Sequence, residues 1–288
     1  MAATGGVVKA MRRHANVTIR SVRARVTRRR IVRDLRRLGV EPGQTLLVHA
    51  SLRSLGWVTG GAPAVVSALR EAVGPEGHVV VPTGTEANSR TSRLHQAHIS
   101  TLTPEEVENF HLDMPAFDKD TTPSGMGAIS EALRTAHGAA RSAHPQSSFA
   151  AIGPEADLLM GDHPLECHLG PDSPLGKLNK MEAHVLMIEV GYWAFTGFHL
   201  AEYLYTPRPP KRTYACVVAS AEGTRRWHEY DDVVLDDQKF EDIGESLEEN
   251  MAVKHGKVGH AQCRLVPLQA AVDFAVEWMA KDRPITHG

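Results

Sequence analysis

The chain has 288 residues, of which 42% are hydrophobic and 23% charged, so it can bury a substantial core and is not expected to be disordered. Lys and Arg number 32 against 34 Asp and Glu, and a formal net charge of -2 gives no general attraction to nucleic acid or to an anionic membrane. The 3 cysteines lie far apart without a CxxC pair, which argues against a disulfide framework and favours a reducing, cytoplasmic location.

The first element is a basic N-terminal arm, which we assign to residues 1–30. Up to about residue 37 nearly all the charge is Lys and Arg, with Arg28, Arg29 and Arg30 in a row and a lone acid at Asp34. We expect a solvated extension that leads into a helix, and an interaction role for the arm stays open. Residues 31–288 are assigned to a single domain.

A βαβ pattern begins at Gln44. Residues 45–51 predict a buried strand, residues 64–73 an amphipathic helix and residues 78–83 a second strand. The turn after the first strand is rich in glycine and lets backbone N–H groups face an anion, although it matches neither GxGxxG nor GxxxxGK[ST]. Its glycines are Gly56, Gly60 and Gly61, just before Pro63.

The remaining pattern predicts an α/β fold in which a mixed central sheet carries helices on both faces. Residues 84–117 are polar and indicate an insertion or lid, with a short helix after Thr103 as N-cap. Further helices are predicted at 125–136, around 195–205 and at 271–281, and further strands at 147–153, 184–191 and 214–220.

Histidines supply the candidate chemistry. The segment HPQSSFAAIG places two serines, Ser147 and Ser148, after His144, where they can donate hydrogen bonds to a ligand. His199 and Glu202 are three residues apart on a predicted helix, so an imidazole and a carboxylate share one face. A structural role for each of these residues remains the alternative.

A zinc-dependent amidohydrolase is an alternative function for the same histidines. Its ligands would come from His163, His168, His199 and Glu202. The chain has no HExxH motif and no close HxH pair, so we expect no metal.

Taken in order, several segments resemble the aminoglycoside 3-N-acetyltransferase family, which differs from the GNAT acetyltransferases. The matching segments cover residues from about 31 to 275. They read LLVHASLRSLGWVTGGAPAVVSALREAVGPEGHVVVPT, MPAFDKDTTPSGMGAISEALRT, RSAHPQSSFAAIGPEAD, HLGPDSPLGKL, VLMIEVG, FHLAEY and KVGHAQCRLV.

The resemblance implies a non-GNAT antibiotic N-acetyltransferase-like fold and acetyl transfer from acetyl-CoA to the 3-amino group of 2-deoxystreptamine aminoglycosides. The expected partners are coenzyme A and an aminoglycoside or other polycationic amino sugar, and neither nucleic acid nor a membrane is expected. The chain could also form a homodimer. The residues expected to bind the cofactor are Ser51, Leu52, Ser54, Gly56, Trp57, Val58, Gly61 and Ser147.

The resemblance also suggests the catalytic residues: His168 precedes the SPL motif, and His199 and Glu202 form the HLAE pair. An amine that is an ammonium at neutral pH needs a base before it can attack a thioester. We expect His168 as this base, with Glu202 as its partner or as an anchor for the acceptor ammonium and His199 in support. Glu189 stands where the family has a small residue, which leaves acetylation of a non-antibiotic amine as another alternative.

Overall fold

The structure is a computed structural model that describes residues 25–220 and 222–283. Its strands are β1 (Thr45–Ala50), β2 (His78–Pro82), β3 (Ala140–Arg141), β4 (Phe149–Ile152), β5 (His184–Ile188), β6 (Lys211–Ala219), β7 (Arg225–Val233), β8 (Lys254–Val258) and β9 (Ala261–Pro267). Its helices are α1 (Arg28–Leu38), α2 (Gly61–Val73), α3 (Arg93–Ile99), α4 (Pro104–Asp113), α5 (Ala128–Arg134), α6 (Ala156–Met160), α7 (Pro174–Lys180), α8 (Gly197–Leu204), α9 (Phe240–Asn250) and α10 (Leu268–Asp282).

A 7-stranded sheet in the order β3-β4-β2-β1-β5-β9-β8 forms the centre of the described chain. β1 lies parallel to both β2 and β5, whereas the other pairs in this sheet are antiparallel. The predicted mixed sheet is therefore confirmed. The two parallel neighbours of β1 place the carboxyl ends of three strands side by side.

Alternation along β1 and β5 divides the core into two layers. Leu46 and Val48 of β1 pack with α1, α2 and α5 on one face of the sheet. Leu47 of β1 and Met187 of β5 pack with α7, α8 and α10 on the other face. The prediction of helices on both faces is confirmed.

α2 begins at Gly61, three residues earlier than the sequence pattern predicts. Its N-cap, Gly60, has φ 86° and Gly61 has φ 59°, a left-handed backbone that glycine adopts with little strain. The open N–H groups of the first turn therefore lie at the end of the glycine loop.

The segment 84–117 packs on the hairpin of β6 and β7. The Asn88 side-chain amide donates to the carbonyl of Val217 over 2.9 Å and accepts from its N–H over 2.7 Å. Arg90 pairs with Glu229 at 2.8 Å. Thr103 caps α4 in a capping box with Glu106, as predicted for that helix start. The hairpin thus holds the insertion in place, and Gly84 and Arg93 of the insertion line the cavity described below.

At the N-terminal end of the described residues, Val26 is fully buried and its N–H donates to the Trp57 carbonyl over 2.8 Å. This part of the assigned arm therefore lies against the glycine loop, whereas residues 1–24 of the arm are outside the described residues. Within the described ranges, the chain has no helix with the length and apolar character needed to cross a membrane.

Candidate active site

A cavity of about 490 Å³ opens at the carboxyl ends of β1, β2 and β5. Ala50, Pro82 and Val190, which end or follow these strands, lie in its wall. In α/β sheets this is where ligands bind, at the strand whose two neighbours are reached by connections running in opposite directions. We call this cavity the cleft.

His199 lines the cleft from α8. Its Nδ1 hydrogen bonds to Oε2 of Glu202 over 2.7 Å, which confirms that the two residues share one face of the helix. Glu202 is fully buried, and its Oε1 accepts from Arg283 at 2.8 Å and from the Asp236 N–H at 2.9 Å. Because the carboxylate holds Nδ1–H, the other ring nitrogen, Nε2, is the one available to a ligand in the cleft.

His168 lies behind the cleft wall, with only 3% of its surface exposed. Its Nδ1 bonds to Asp232 Oδ2 at 2.7 Å, and its Nε2 contacts Gln146 Oε1 at 2.7 Å and the Tyr230 hydroxyl at 2.9 Å. Burial lowers the pKa of His168, and the hydrogen bond to Asp232 offsets part of that shift. Of these residues only Gln146 lines the cleft.

The expected pairing of His168 with Glu202 was wrong. Asp232, 64 residues away along the chain, takes that place, because β7 carries it under the loop that holds His168. The expectation that Glu202 anchors an acceptor ammonium also fails, since both of its oxygens are held by protein donors inside the core. In the sequence Asp232 is one of several acids in a charged stretch, and no local pattern marks it as a partner of His168.

Two further histidines support this loop as neutral imidazoles. The backbone N–H groups of Gln146 and Ser147 donate to Nδ1 of His144 at 3.2 Å, so its Nε2–H donates to the Leu165 carbonyl at 3.1 Å. Nε2 of His163 donates to the His168 carbonyl at 2.9 Å. Burial lowers the pKa of His163 to about 4 and that of His144 well below its ordinary value. Their role here is structural.

A second, open cavity of about 990 Å³ lies on the glycine loop. Arg25 and Arg53 provide positive charge, and the side chain of Trp57 is 71% exposed. Five of the predicted cofactor residues line this cavity: Leu52, Gly56, Trp57, Val58 and Gly61. We call it the loop cavity.

The other three predicted cofactor residues lie elsewhere. Ser54 donates to Ser51 through their hydroxyls at 2.9 Å, and neither lines the loop cavity. Ser147 lines the cleft and donates to the His168 carbonyl at 2.8 Å. Both cavities are lined by residues at the end of β1, since Ala50 borders the cleft and Leu52 borders the loop cavity.

The cleft also contains an ion pair. Arg93 of the insertion forms an ion pair with Asp237, and both residues line the cleft. Asp237 is the only acidic residue among the described residues that line it. The insertion thus places a guanidinium directly on this carboxylate.

The candidate zinc ligands do not converge. Within residues 25–220 and 222–283, no group of three or more His, Cys, Asp or Glu side chains is placed to hold a metal ion. His163 bonds to the Ser142 hydroxyl and to the His168 carbonyl. His168 bonds to Asp232, Gln146 and Tyr230. His199 bonds to Glu202. The geometry does not support the amidohydrolase alternative.

Comparison with known protein families decides the assignment, since residues 47–280 match the model of the aminoglycoside 3-N-acetyltransferase family. The chain belongs to this family. The predicted resemblance is therefore confirmed, and with it the prediction of an acyltransferase.

Individual relatives agree with this assignment. The SPbeta prophage-derived aminoglycoside N(3')-acetyltransferase-like protein YokD of Bacillus subtilis (strain 168) is 39% identical over 255 residues, which cover 88% of this chain and 92% of the relative. Aminoglycoside N(3)-acetyltransferase VII of Streptomyces paromomycinus is 34% identical over 272 residues, covering 88% of this chain and 91% of the relative.

Solved structures of the family superpose on most of the chain. The crystal structure of YokD from Bacillus subtilis gives a TM-score of 0.84 at 38% identity, covering 90% of this chain and 94% of the other. The structure of AAC-VIa bound to sisomicin gives a TM-score of 0.76 at 32% identity, covering 88% of this chain and 97% of the other. The structure of the binary complex of AAC-IIIb with CoASH gives a TM-score of 0.76 at 27% identity, covering 92% of this chain and 99% of the other.

Proposed function

We propose that this protein transfers an acetyl group from acetyl-CoA to the 3-amino group of the 2-deoxystreptamine ring of an aminoglycoside. The observation that carries the proposal is the position of His199, whose Nδ1 is fixed by buried Glu202 while the ring borders the cleft. A cationic, glycine-lined cavity follows the same strand, β1, and the cleft itself contains a carboxylate, that of Asp237. This arrangement suits a base between an anionic cofactor and a cationic acceptor.

The loop cavity fits the phosphate-bearing part of coenzyme A. Arg25 and Arg53 supply the positive charge that its phosphates require, and the first turn of α2 adds open backbone N–H groups. The exposed indole of Trp57 offers a face for stacking. A relative of the same fold, AAC-IIIb, was solved with CoASH, which supports the assignment.

The acceptor would enter from the side of the insertion. Asp237 lines the cleft and provides a carboxylate for an acceptor ammonium. Sisomicin in the related AAC-VIa structure supports an aminoglycoside as the acceptor.

His199 is the residue we propose as the general base. Its Nε2 accepts a proton from the acceptor ammonium, and Glu202 stabilises the resulting imidazolium through Nδ1–H. The geometry favours His199 over His168 for this role, because both ring nitrogens of His168 are already engaged inside the protein. Direct transfer follows, with no nucleophile from the enzyme: the thiol of Cys167 is buried, and burial raises its pKa.

His168 is assigned a positioning role. It contacts Gln146 and Tyr230 through Nε2, and Gln146 lines the cleft. Asp232 fixes the imidazole ring through its hydrogen bond with Nδ1, and it also accepts a hydrogen bond from the Tyr203 hydroxyl at 2.6 Å. The group thereby holds one wall of the cleft in place.

The test is acceptor-dependent release of coenzyme A thiol from acetyl-CoA, measured with purified protein and a panel of gentamicin-like, kanamycin-like and apramycin-like aminoglycosides. The proposal predicts turnover with at least one of them. Binding of acetyl-CoA without turnover on any member would refute the aminoglycoside acceptor, and absence of acetyl-CoA binding would refute the whole proposal.

Acetylation of a smaller, non-antibiotic amine is the second candidate. It is favoured by the single carboxylate among the described cleft residues, which is already paired with Arg93. A polycation would be expected to meet more than one free acid. Adding simple diamines and monoamino sugars to the same panel separates the two functions.

A further inference from the structure

His49 follows a run of three apolar residues in β1. It lies near the end of β1, is only 6% exposed and borders the cleft. Its Nε2 is buried and has no hydrogen-bond partner among the described residues. A buried polar atom without a partner costs about 1–3 kcal/mol, so it calls for an explanation.

The direction of the side chain follows from strand alternation. His49 lies on the same face of β1 as Leu47, which packs in the layer of α7, α8 and α10. α8 carries His199, so both histidines face the cleft from the same side of the sheet.

The ring is a neutral hydrogen-bond donor in this position. Burial lowers the pKa of His49 to about 4, so the imidazole carries no charge at neutral pH. A neutral imidazole keeps one N–H, and because rotation about χ2 is nearly twofold, either ring edge can turn toward the cleft. Phe149 and Leu169, which line the same cleft, are apolar, and apolar surroundings strengthen a hydrogen bond made there.

We propose that His49 is a catalytic residue that donates a hydrogen bond to the carbonyl oxygen of the acyl thioester. The inference rests on the proposed function and extends it, since it assigns the group that stabilises the oxyanion. Loss of one such donor in other enzymes typically costs about 10²–10³ in kcat.

Acetyl transfer passes through a tetrahedral intermediate. The amine nitrogen, after losing one proton to His199, attacks the thioester carbon; a C–N bond forms and the carbonyl π pair moves to the oxygen held by His49. The carbonyl then re-forms, the C–S bond breaks and the coenzyme A thiolate leaves. A second proton is lost from the nitrogen, and the thiolate is protonated, so the products are the amide, coenzyme A thiol and one proton.

The first experiment compares His49→Leu, which removes the donor, with His49→Gln, which keeps an N–H donor. We expect kcat to fall about 10²–10³ in His49→Leu and to recover at least about tenfold in His49→Gln, with both KM values within about twofold of wild type. His184→Leu is the matched control, because His184 lies at the opposite end of the neighbouring strand and borders neither cavity. Melting temperatures of all variants show whether each is folded.

The second experiment does not need an acceptor. The C=O stretch of acetyl-CoA labelled with ¹³C at the carbonyl should shift to lower frequency on binding to the wild type and lose that shift in His49→Leu. An unshifted carbonyl in bound wild type, or a folded His49→Leu variant with kcat within about threefold of wild type, would overturn the inference while acetyl transfer itself stands. If acetyl-CoA does not bind to the wild type at all, the proposed function and this inference fail together.

Discussion

Glu202 and His199 lie one turn apart on α8, and the Nδ1–H of His199 donates to Oε2 of Glu202 over 2.7 Å. The carboxylate is held in turn by Arg283 at 2.8 Å and by the Asp236 N–H at 2.9 Å. A fully buried acid with three donors keeps its place, so it fixes the tautomer and the direction of the imidazole.

Removal of His199 should affect the chemical step. We expect His199→Ala to lower kcat about 10²–10⁴, because the acceptor ammonium loses its base, while the affinity for acetyl-CoA stays within about twofold. Steady-state kinetics and calorimetric titration measure the two quantities. His168→Ala is the comparison variant. If it lowers kcat by a larger factor than His199→Ala does, His168 is the base.

Glu202→Gln should combine a catalytic and a structural effect. The amide no longer stabilises the imidazolium, and Arg283 loses its buried counter-charge, so we expect kcat to fall at least about tenfold and the free energy of unfolding to fall about 3–5 kcal/mol. A double-mutant cycle with Arg283→Gln, followed by urea unfolding, isolates the ion pair. Strict additivity of the two variants in unfolding would contradict the coupling.

The glycine loop provides a test of the cofactor site. Gly56 has φ 90°, and a Cβ there would lie 2.5 Å from Cδ2 of His260, so Gly56→Ala should displace the loop and raise KM for acetyl-CoA at least about fivefold. Gly43→Ala is the control, since Gly43 has φ 85° with no atom within 4 Å of the added Cβ. Equal changes in KM for both variants would mean that backbone strain, not the shape of the loop, is responsible.

Arg93 and Asp237 should act in opposite directions on the acceptor. Arg93→Ala frees the carboxylate from its ion pair and should lower KM for a cationic acceptor a fewfold, whereas Asp237→Asn should raise it. Initial rates at varied acceptor concentration and at two salt concentrations measure both effects. A rise in KM for Arg93→Ala would show that the guanidinium assists binding of the acceptor.

Stability should fall on acidification. Burial lowers the pKa of His49 and of His163 to about 4, so between about pH 6.5 and pH 4 the unfolded chain binds protons that the folded chain does not. The contribution of the two neutral histidines to the free energy of unfolding is therefore complete above about pH 6.5 and is lost toward pH 4. Within this range the free energy of unfolding falls by up to about 1.4 kcal/mol per pH unit for each histidine. Urea unfolding at several pH values measures it; His163→Gln should have a smaller slope than wild type, and an unchanged slope would contradict the assignment.

Local pattern predicted much of the fold and part of the site. Apolar runs indicated β1, β2 and β5, and helical spacing placed His199 beside Glu202, because both signals act over a few residues. β7 was missed since it is rich in charged residues and partly exposed, and β8 and β9 were not predicted as strands. In these three strands, pairing with the neighbouring strand determines where the strand begins and ends, and local propensity does not.

Contacts between distant segments were beyond the reach of these patterns. The bond of His168 to Asp232 spans 64 residues, and nothing local distinguishes Asp232 from its neighbour Asp231. The sequence does mark His49 as an imidazole after three apolar residues of β1, just before the glycine loop, but its unpartnered nitrogen is visible only in three dimensions.

Glu189 stands where the family has a small residue, and its φ of 50° shows that the backbone is left-handed at this position.

Identification of the acetylated nitrogen separates 3-N-acetylation from acetylation at any other amine of the acceptor. Wild-type protein is incubated with ¹³C-acetyl-CoA and the aminoglycoside that gives the fastest thiol release, and the product is analysed by two-dimensional NMR. The account predicts a single labelled amide on the nitrogen at position 3 of the 2-deoxystreptamine ring. A label on another amine, or no labelled aminoglycoside at all, would contradict it.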